Sequence, residues 1–166
     1  MAIIQMDYYS KACENNKHME FIVPGYDGWE QTPEPYRVLY VIPEGGMGAN
    51  ETVCLMSLRR WAMMTGIAVI VVDPEDYIKP GENQKLIWKE MLAVSREMFP
   101  LSRKREDTYL WIMDQEAQAI YDSGIMELSA FSKWIAPDVR SENANVLSRI
   151  NQIEMQLESV FAFLMN

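Results

Sequence analysis

The chain has 166 residues, 49% of them hydrophobic, and a formal net charge of -9 at pH 7. This length and apolar content suit one domain with a sizeable core. The acidic balance argues against nonspecific binding to nucleic acid or an anionic membrane, and Cys13 and Cys54 are too few to imply a disulfide framework. The longest apolar run, residues 67–72, is too short to span a bilayer, and the N-terminus lacks a signal-peptide pattern.

The predicted elements alternate between strands and helices. Residues 2–10 and 15–23 are expected to form two antiparallel strands. Four short segments, apolar and rich in β-branched or aromatic residues, predict buried parallel strands at residues 37–42, 67–73, 108–113 and 127–132. Helical patterns lie between them at residues 50–65, 82–98 and 114–122. This alternation predicts an α/β fold, with helices on both faces of a mostly parallel sheet.

Four segments carry a family resemblance. They are Arg37-Val38-Leu39-Tyr40-Val41-Ile42, Gly45-Gly46-Met47-Gly48, Gly66-Ile67-Ala68-Val69-Ile70-Val71 and the run from Phe99 through Arg105-Glu106-Asp107 to Thr108. Together they resemble the esterase family that includes bacterial tributyrin esterases and S-formylglutathione hydrolases, over roughly residues 1–132. The resemblance implies an α/β-hydrolase fold that is degenerate at its catalytic positions. It also implies truncation at the C-terminus, because the elements that carry the family's catalytic acid and histidine do not follow.

The nucleophile position is the first that departs from the family pattern. In the family, the last of these segments leads into the strand that ends at Gly-x-Ser-x-Gly. The same spacing here places the nucleophile position on Asp114 or a neighbour within one residue, and no serine lies between Ser102 and Ser123. Ile112 and Glu116 stand where the family has glycines, and such large residues argue against a functional elbow, which is a strained turn.

The oxyanion loop that the resemblance implies consists of Glu44, Gly45 and Gly46. Either Pro43 or Glu44 stands where the family has a histidine before the first glycine. The glycines still carry backbone N–H groups that can face an oxyanion. Without a nucleophile, however, such donors do not make a catalyst, so both the loop and the Asp114 position are predicted to be vestigial.

The general base is the second missing group. In this fold the catalytic histidine follows the nucleophile in the chain, whereas the only histidine here is His18. The resemblance offers His18 no catalytic position, which favours an ordinary surface or turn histidine. Asp114 as a covalent nucleophile would need a base to activate water. The alternative is that Asp114 caps the helix that follows it.

A cluster of acidic residues after the second parallel strand raises the question of a metal site. Asp73, Glu75 and Asp76 lie at the sheet edge where this fold binds ligands, and carboxylate oxygens suit calcium or magnesium. The run lacks the spaced glycine and terminal glutamate of a calcium loop. We therefore predict turn and cap residues and no metal or other cofactor.

The C-terminal segment predicts a long amphipathic helix. Residues 141–166 contain no glycine or proline, and apolar residues follow a heptad pattern at Val146, Ile150, Ile153, Leu157, Val160 and Leu164. Leucine at a positions with β-branched residues at d positions favours three or four strands over a dimeric coiled coil. The alternative is a helix folded back on its own domain. We therefore divide the chain into an esterase-like domain, residues 1–137, and an oligomerisation helix, residues 138–166.

Together these observations predict a pseudoenzyme: a catalytically inactive esterase-like scaffold that is an oligomeric structural or protein-interaction subunit, cellular or viral. Its expected partners are copies of itself, as a trimer or larger, or a larger protein assembly in the cytoplasm or a virion, with neither nucleic acid nor membrane. One alternative is a small-ester hydrolase with a rearranged site that uses Asp114. Another is a module that binds a small ligand, without turnover, near Gly46, Asp73 and Asp114.

Overall fold

Within the described part of the chain, a six-stranded sheet forms the centre of the protein. Along the sequence the strands are β1 (Ala2–Ser10), β2 (Asn15–Val23), β3 (Val38–Ile42), β4 (Ala68–Val72), β5 (Thr108–Ile112) and β6 (Lys133–Ile135). In the sheet they lie in the order β1-β2-β4-β3-β5-β6. The computed structural model describes residues 1–25, 35–44, 46–55, 57–74, 84–113 and 128–135, with positions 157, 159, 160, 162, 163 and 165.

The sheet is antiparallel at one side and parallel through the rest. β1 and β2 form a hairpin with Ala2 opposite Val23 and Ser10 opposite Asn15, and β2 pairs antiparallel with β4. The pairs of β3 with β4, β3 with β5, and β5 with β6 are all parallel. The predicted α/β class is therefore confirmed.

Helices cover both faces of this sheet. In the described ranges up to residue 135, the α-helices are α1 (Ala49–Leu55), α2 (Leu58–Thr65) and α3 (Gln84–Met98). Because successive side chains of a strand point to opposite faces, β3 contributes Tyr40 to the core beneath α3 and Leu39 to the core beneath α1 and α2. All five residues of β3, β4 and β5 are buried, which explains their continuous apolar sequences. Among the described residues, no helix is long and apolar enough to cross a membrane.

Two predicted elements differ from the structure. The single helix predicted over residues 50–65 is divided into α1 and α2, and Ser57 stands at the N-cap of α2. The strand predicted over residues 127–132 is wrong: the chain forms a 3-10 helix at Leu128–Ala130 before β6 begins. The apolar character of this segment serves packing instead, because the ring of Phe131 meets the rings of Trp88 and Tyr40 edge to face.

Only part of the predicted C-terminal helix falls within the described residues. The described positions from 157 to 165 are helical. Leu157 and Val160 are buried in their own domain, in the core beneath α1 and α2, which agrees with a helix folded back on that domain. The other heptad residues, Val146, Ile150, Ile153 and Leu164, and the helix predicted at 114–122 lie outside the described residues. Oligomerisation and the domain boundary at residue 137 stay predictions.

Gly66 provides a test of how α2 ends. It has a φ of 67° and donates its N–H to the Ala62 carbonyl at 2.9 Å. We expect Gly66→Ala to lower the free energy of unfolding by about 1 kcal/mol, because a Cβ disfavours the left-handed conformation. Urea denaturation measures this loss. Gly66→Asn is the matched control and should lose less, since asparagine tolerates positive φ; equal losses would contradict the explanation.

Candidate functional site

A cleft of about 460 Å³ opens where the parallel strands end. Three described segments line it: Asp7 with residues 15–18 from the hairpin, residues 46–48 after β3, and residues 73–74 after β4. The hairpin reaches this edge because β2 is antiparallel to β4, with Met19 opposite Val72. The start of β2 therefore lies beside the end of β4. In open α/β sheets, ligands bind at the carboxyl ends of the strands.

A tight turn after β3 forms one wall of the cleft. The Met47 N–H donates to the Glu44 carbonyl at 3.0 Å, and Gly46 lies within the turn with a φ of 89°. A Cβ on Gly46 would meet no heavy atom within 4 Å, so conformation and not crowding requires glycine there. Of the predicted oxyanion loop, Gly46 lines the cleft, and Gly45 lies outside the described residues.

Asp73 holds the first helix in place. Its Oδ1 atom accepts the N–H of Ala49, the first residue of α1, at 2.8 Å. Asp73 is therefore a cap residue, as the sequence favoured, while Glu75 and Asp76 lie outside the described residues. Within the described ranges, no group of three histidine, cysteine, aspartate or glutamate side chains is placed to hold a metal ion.

The hairpin contributes a row of polar side chains centred on His18. Its Nδ1 atom lies 2.7 Å from Oδ1 of Asp7, and its Nε2 atom lies 3.1 Å from Oε1 of Glu20. The side-chain amide of Gln5 donates to the same Glu20 oxygen at 2.8 Å. Asp7 lies directly opposite His18, and Gln5 directly opposite Glu20, in the strand register. Cross-strand pairing therefore brings the four side chains together.

The two carboxylates beside His18 lie in different environments. The Asp7 side chain is 73% exposed and that of Glu20 is 2% exposed, while His18 is 28% exposed. Burial lowers the pKa of His18, but the hydrogen bonds to Asp7 and Glu20 and the charges of Asp7 and Asp73 outweigh it and raise the pKa above 6.5. The sequence favoured a surface or turn histidine, whereas His18 belongs to a strand and lines the cleft.

The predicted nucleophile position follows directly after described residues. β3 and β5 end side by side, with Ile42 opposite Ile112, and the Met113 N–H donates to the Ile42 carbonyl at 2.9 Å. Met113 is buried. Asp114 is the next residue in the chain and lies outside the described residues, as does Glu116.

No protein-family model matches this chain, and no curated protein matches it either. Solved structures do match. S-formylglutathione hydrolase FrmB from Staphylococcus aureus has a TM-score of 0.59 at 20% identity, over 69% of this chain and 48% of its own. FphF, a fluorophosphonate-binding serine hydrolase from the same organism, has a TM-score of 0.64 at 16% identity, over 96% of this chain and 73% of its own. An S-formylglutathione hydrolase from Agrobacterium tumefaciens has a TM-score of 0.62 at 13% identity, over 81% of this chain and 56% of its own.

These likenesses confirm the esterase-like α/β-hydrolase fold that the resemblance implied. This chain spans about half the length of FrmB and of the Agrobacterium hydrolase. The prediction that the protein is not an enzyme is contradicted, because the solved structures that share its fold are hydrolases and esterases. At these low identities the likeness shows the fold alone.

The Asp73 cap can be tested by substitution. We expect Asp73→Ala to lower the free energy of unfolding by about 1 kcal/mol, because the Ala49 N–H loses its acceptor. Asp73→Asn is the matched control, since its side-chain oxygen can still accept this hydrogen bond. Urea denaturation of both variants measures the difference, and an Asp73→Ala variant as stable as wild type would contradict the role of a cap.

The raised pKa of His18 predicts how stability depends on pH. Its folded pKa exceeds the ordinary value of 6.5, so the folded state binds the proton more tightly than the unfolded state. The contribution of His18 to stability is therefore fully present below about pH 6.5 and lost as the pH rises through the folded pKa. Urea denaturation at about pH 5.5 and pH 8.5 should show His18→Gln more destabilising at the lower pH. An equal effect at both would contradict this linkage.

Proposed function

We propose that this protein is a hydrolase of small esters and acts in the cleft at the carboxyl ends of the strands. The observation that carries the proposal is that an open cleft occupies the ligand edge of an esterase-like sheet, beside the ends of β3 and β4. Its volume of about 460 Å³ falls within the usual range for small-molecule sites, roughly 300–1,000 Å³. This size suits a short acyl group with a modest leaving group.

The glycine turn after β3 supports ester chemistry. Hydrolysis places negative charge on the former carbonyl oxygen, and backbone N–H groups stabilise such an oxyanion. A Cβ built on Gly46 would have no heavy atom within 4 Å, so an acyl group can approach the backbone there. In this proposal, the amides of Gly45 and Gly46 stabilise the oxyanion.

The end of β5 supplies the second element of the proposed site. The hydrogen bond between Met113 and Ile42 brings the end of this strand beside the turn that follows β3. Asp114, the next residue in the chain, then provides a carboxylate as nucleophile or base. The names of two of the solved structures suggest S-formyl thioesters as a substrate class to test beside simple esters.

The proposal predicts turnover of p-nitrophenyl acetate and p-nitrophenyl butyrate above the buffer rate. We expect Asp114→Ala to lower kcat/KM by about 100-fold or more, the usual effect of removing an acid–base group or nucleophile. Release of p-nitrophenol measures both rates. Glu97→Gln, an exposed carboxylate on α3, is the matched control and should keep the wild-type rate.

Absence of turnover by the wild-type protein would contradict the proposal. In that case a melting temperature that rises with added ester or carboxylic acid would favour the ligand-binding alternative, because a ligand stabilises the state that it binds.

A further inference from the structure

We infer that His18 is the acid–base residue of this cleft. Glu20 positions its ring, and Asp7 accepts a hydrogen bond from Nδ1 while the ring is charged. The inference rests on the proposed function and names the group that transfers the proton. The inference assigns to His18, and not to Asp114, the removal of a proton from water, because histidine is the residue type best suited to that task near neutral pH. His18 is the only histidine of the chain and lines the cleft.

Glu20 fixes the orientation of the ring. Its Oε1 atom accepts hydrogen bonds from Nε2 of His18 at 3.1 Å and from Gln5 at 2.8 Å. Glu20 is buried, and a buried carboxylate depends on such donors because it has lost water. Both donors and the acceptor belong to paired strands, so the Nε2 side of the ring is held by a rigid frame. Glu20 is thus a positioning residue.

The partner of the other ring nitrogen is a residue that lines the cleft. Nδ1 of His18 meets Asp7 at 2.7 Å, and both residues line the cleft. The Asp7 side chain is 73% exposed, and exposed ion pairs contribute little net stability because water screens them. Asp7 can therefore leave Nδ1 far more easily than Glu20 can leave Nε2. Nδ1 is the atom that can meet a substrate or a water molecule.

The charge of the ring decides whether Nδ1 is covered. The imidazolium donates to both carboxylates. A ring that loses its Nδ1 proton keeps the Nε2–H bond to Glu20 but presents a lone pair to the Asp7 carboxylate, so the contact with Asp7 becomes repulsive. Among the described residues, the other charged groups that line the cleft are Asp73, which favours the imidazolium, and Lys17. Deprotonation thus releases Asp7 and opens Nδ1 to the cleft.

In the step that we propose, Nδ1 of neutral His18 takes a proton from water while the oxygen of that water bonds to the acyl carbon. The carbonyl π electrons move to oxygen, and the resulting oxyanion lies against the turn that contains Gly46. Collapse re-forms the carbonyl and breaks the bond from the acyl carbon to the leaving oxygen. His18 then returns the proton to that oxygen. One water is consumed, a carboxylic acid and a hydroxyl group are formed, and the ring is neutral again.

The test compares the pH dependence of kcat/KM with a direct NMR measurement of the His18 pKa. The sole histidine gives ring C–H signals that can be assigned in proton NMR without ambiguity, and their titration yields the His18 pKa. We expect kcat/KM for p-nitrophenyl acetate in the wild-type protein to rise with pH, with a midpoint at that pKa. His18→Gln should lose this rise and fall by about 100-fold, and added imidazole should restore part of the rate.

Asp7→Asn and Glu20→Gln distinguish the two carboxylates and keep the histidine. Asp7→Asn should lower both the NMR pKa and the kinetic midpoint, and should raise kcat/KM at pH 7 because more of the ring is neutral and uncovered. Glu20→Gln should also lower the pKa but reduce the maximal rate, because the ring loses its fixed orientation. Glu97→Gln is the control for loss of a carboxylate and should change neither quantity.

The outcomes separate the inference from the function on which it rests. Wild-type turnover that His18→Gln retains would overturn the role of His18 and leave the esterase proposal standing. So would a kinetic midpoint that stays fixed when Asp7→Asn shifts the NMR pKa. Wild-type protein without turnover would overturn the proposed function and the inference together.

Discussion

The antiparallel pairing of β2 with β4 is the contact on which the cleft depends. Of the residues that the structure describes, the parallel strands alone would place only the turn after β3 and residues 73–74 at the cleft. Because β2 runs the opposite way, with Met19 opposite Val72, its first residues reach the carboxyl ends of its neighbours. The hairpin thereby brings His18 and Asp7, which are distant in sequence from residues 46–48 and 73–74, to the place where this fold binds ligands.

Much of the sheet could be predicted from sequence because its central strands are buried on both faces. Short continuous apolar segments such as Val38–Ile42 and Ala68–Val72 are typical of parallel strands buried on both faces. The 127–132 segment shows the limit of that reasoning. Phe131 meets the core directly after a 3-10 helix, and local hydrophobicity does not distinguish such a segment from a short strand.

The environment of His18 was partly within reach of the sequence. A hairpin that pairs residue 10 with residue 15 must also pair residue 7 with residue 18, which predicts a histidine opposite an aspartate. Glu20 lies two residues further along and so points to the same face. What the sequence alone does not contain is the antiparallel contact with β4, which brings this face to the cleft. The family resemblance assigns no role to the N-terminal hairpin, so it gives no reason to expect His18 in the cleft.

The alternation of side chains along β3 has a consequence for cooperativity. Tyr40 and Ile42 belong to the core beneath α3, whereas Leu39 and Val41 belong to the core beneath α1 and α2. Neither core can lose its packing against this strand without disturbing the backbone that positions the other. Two hydrophobic layers that share a central strand in this way are expected to melt in a single transition and not in two.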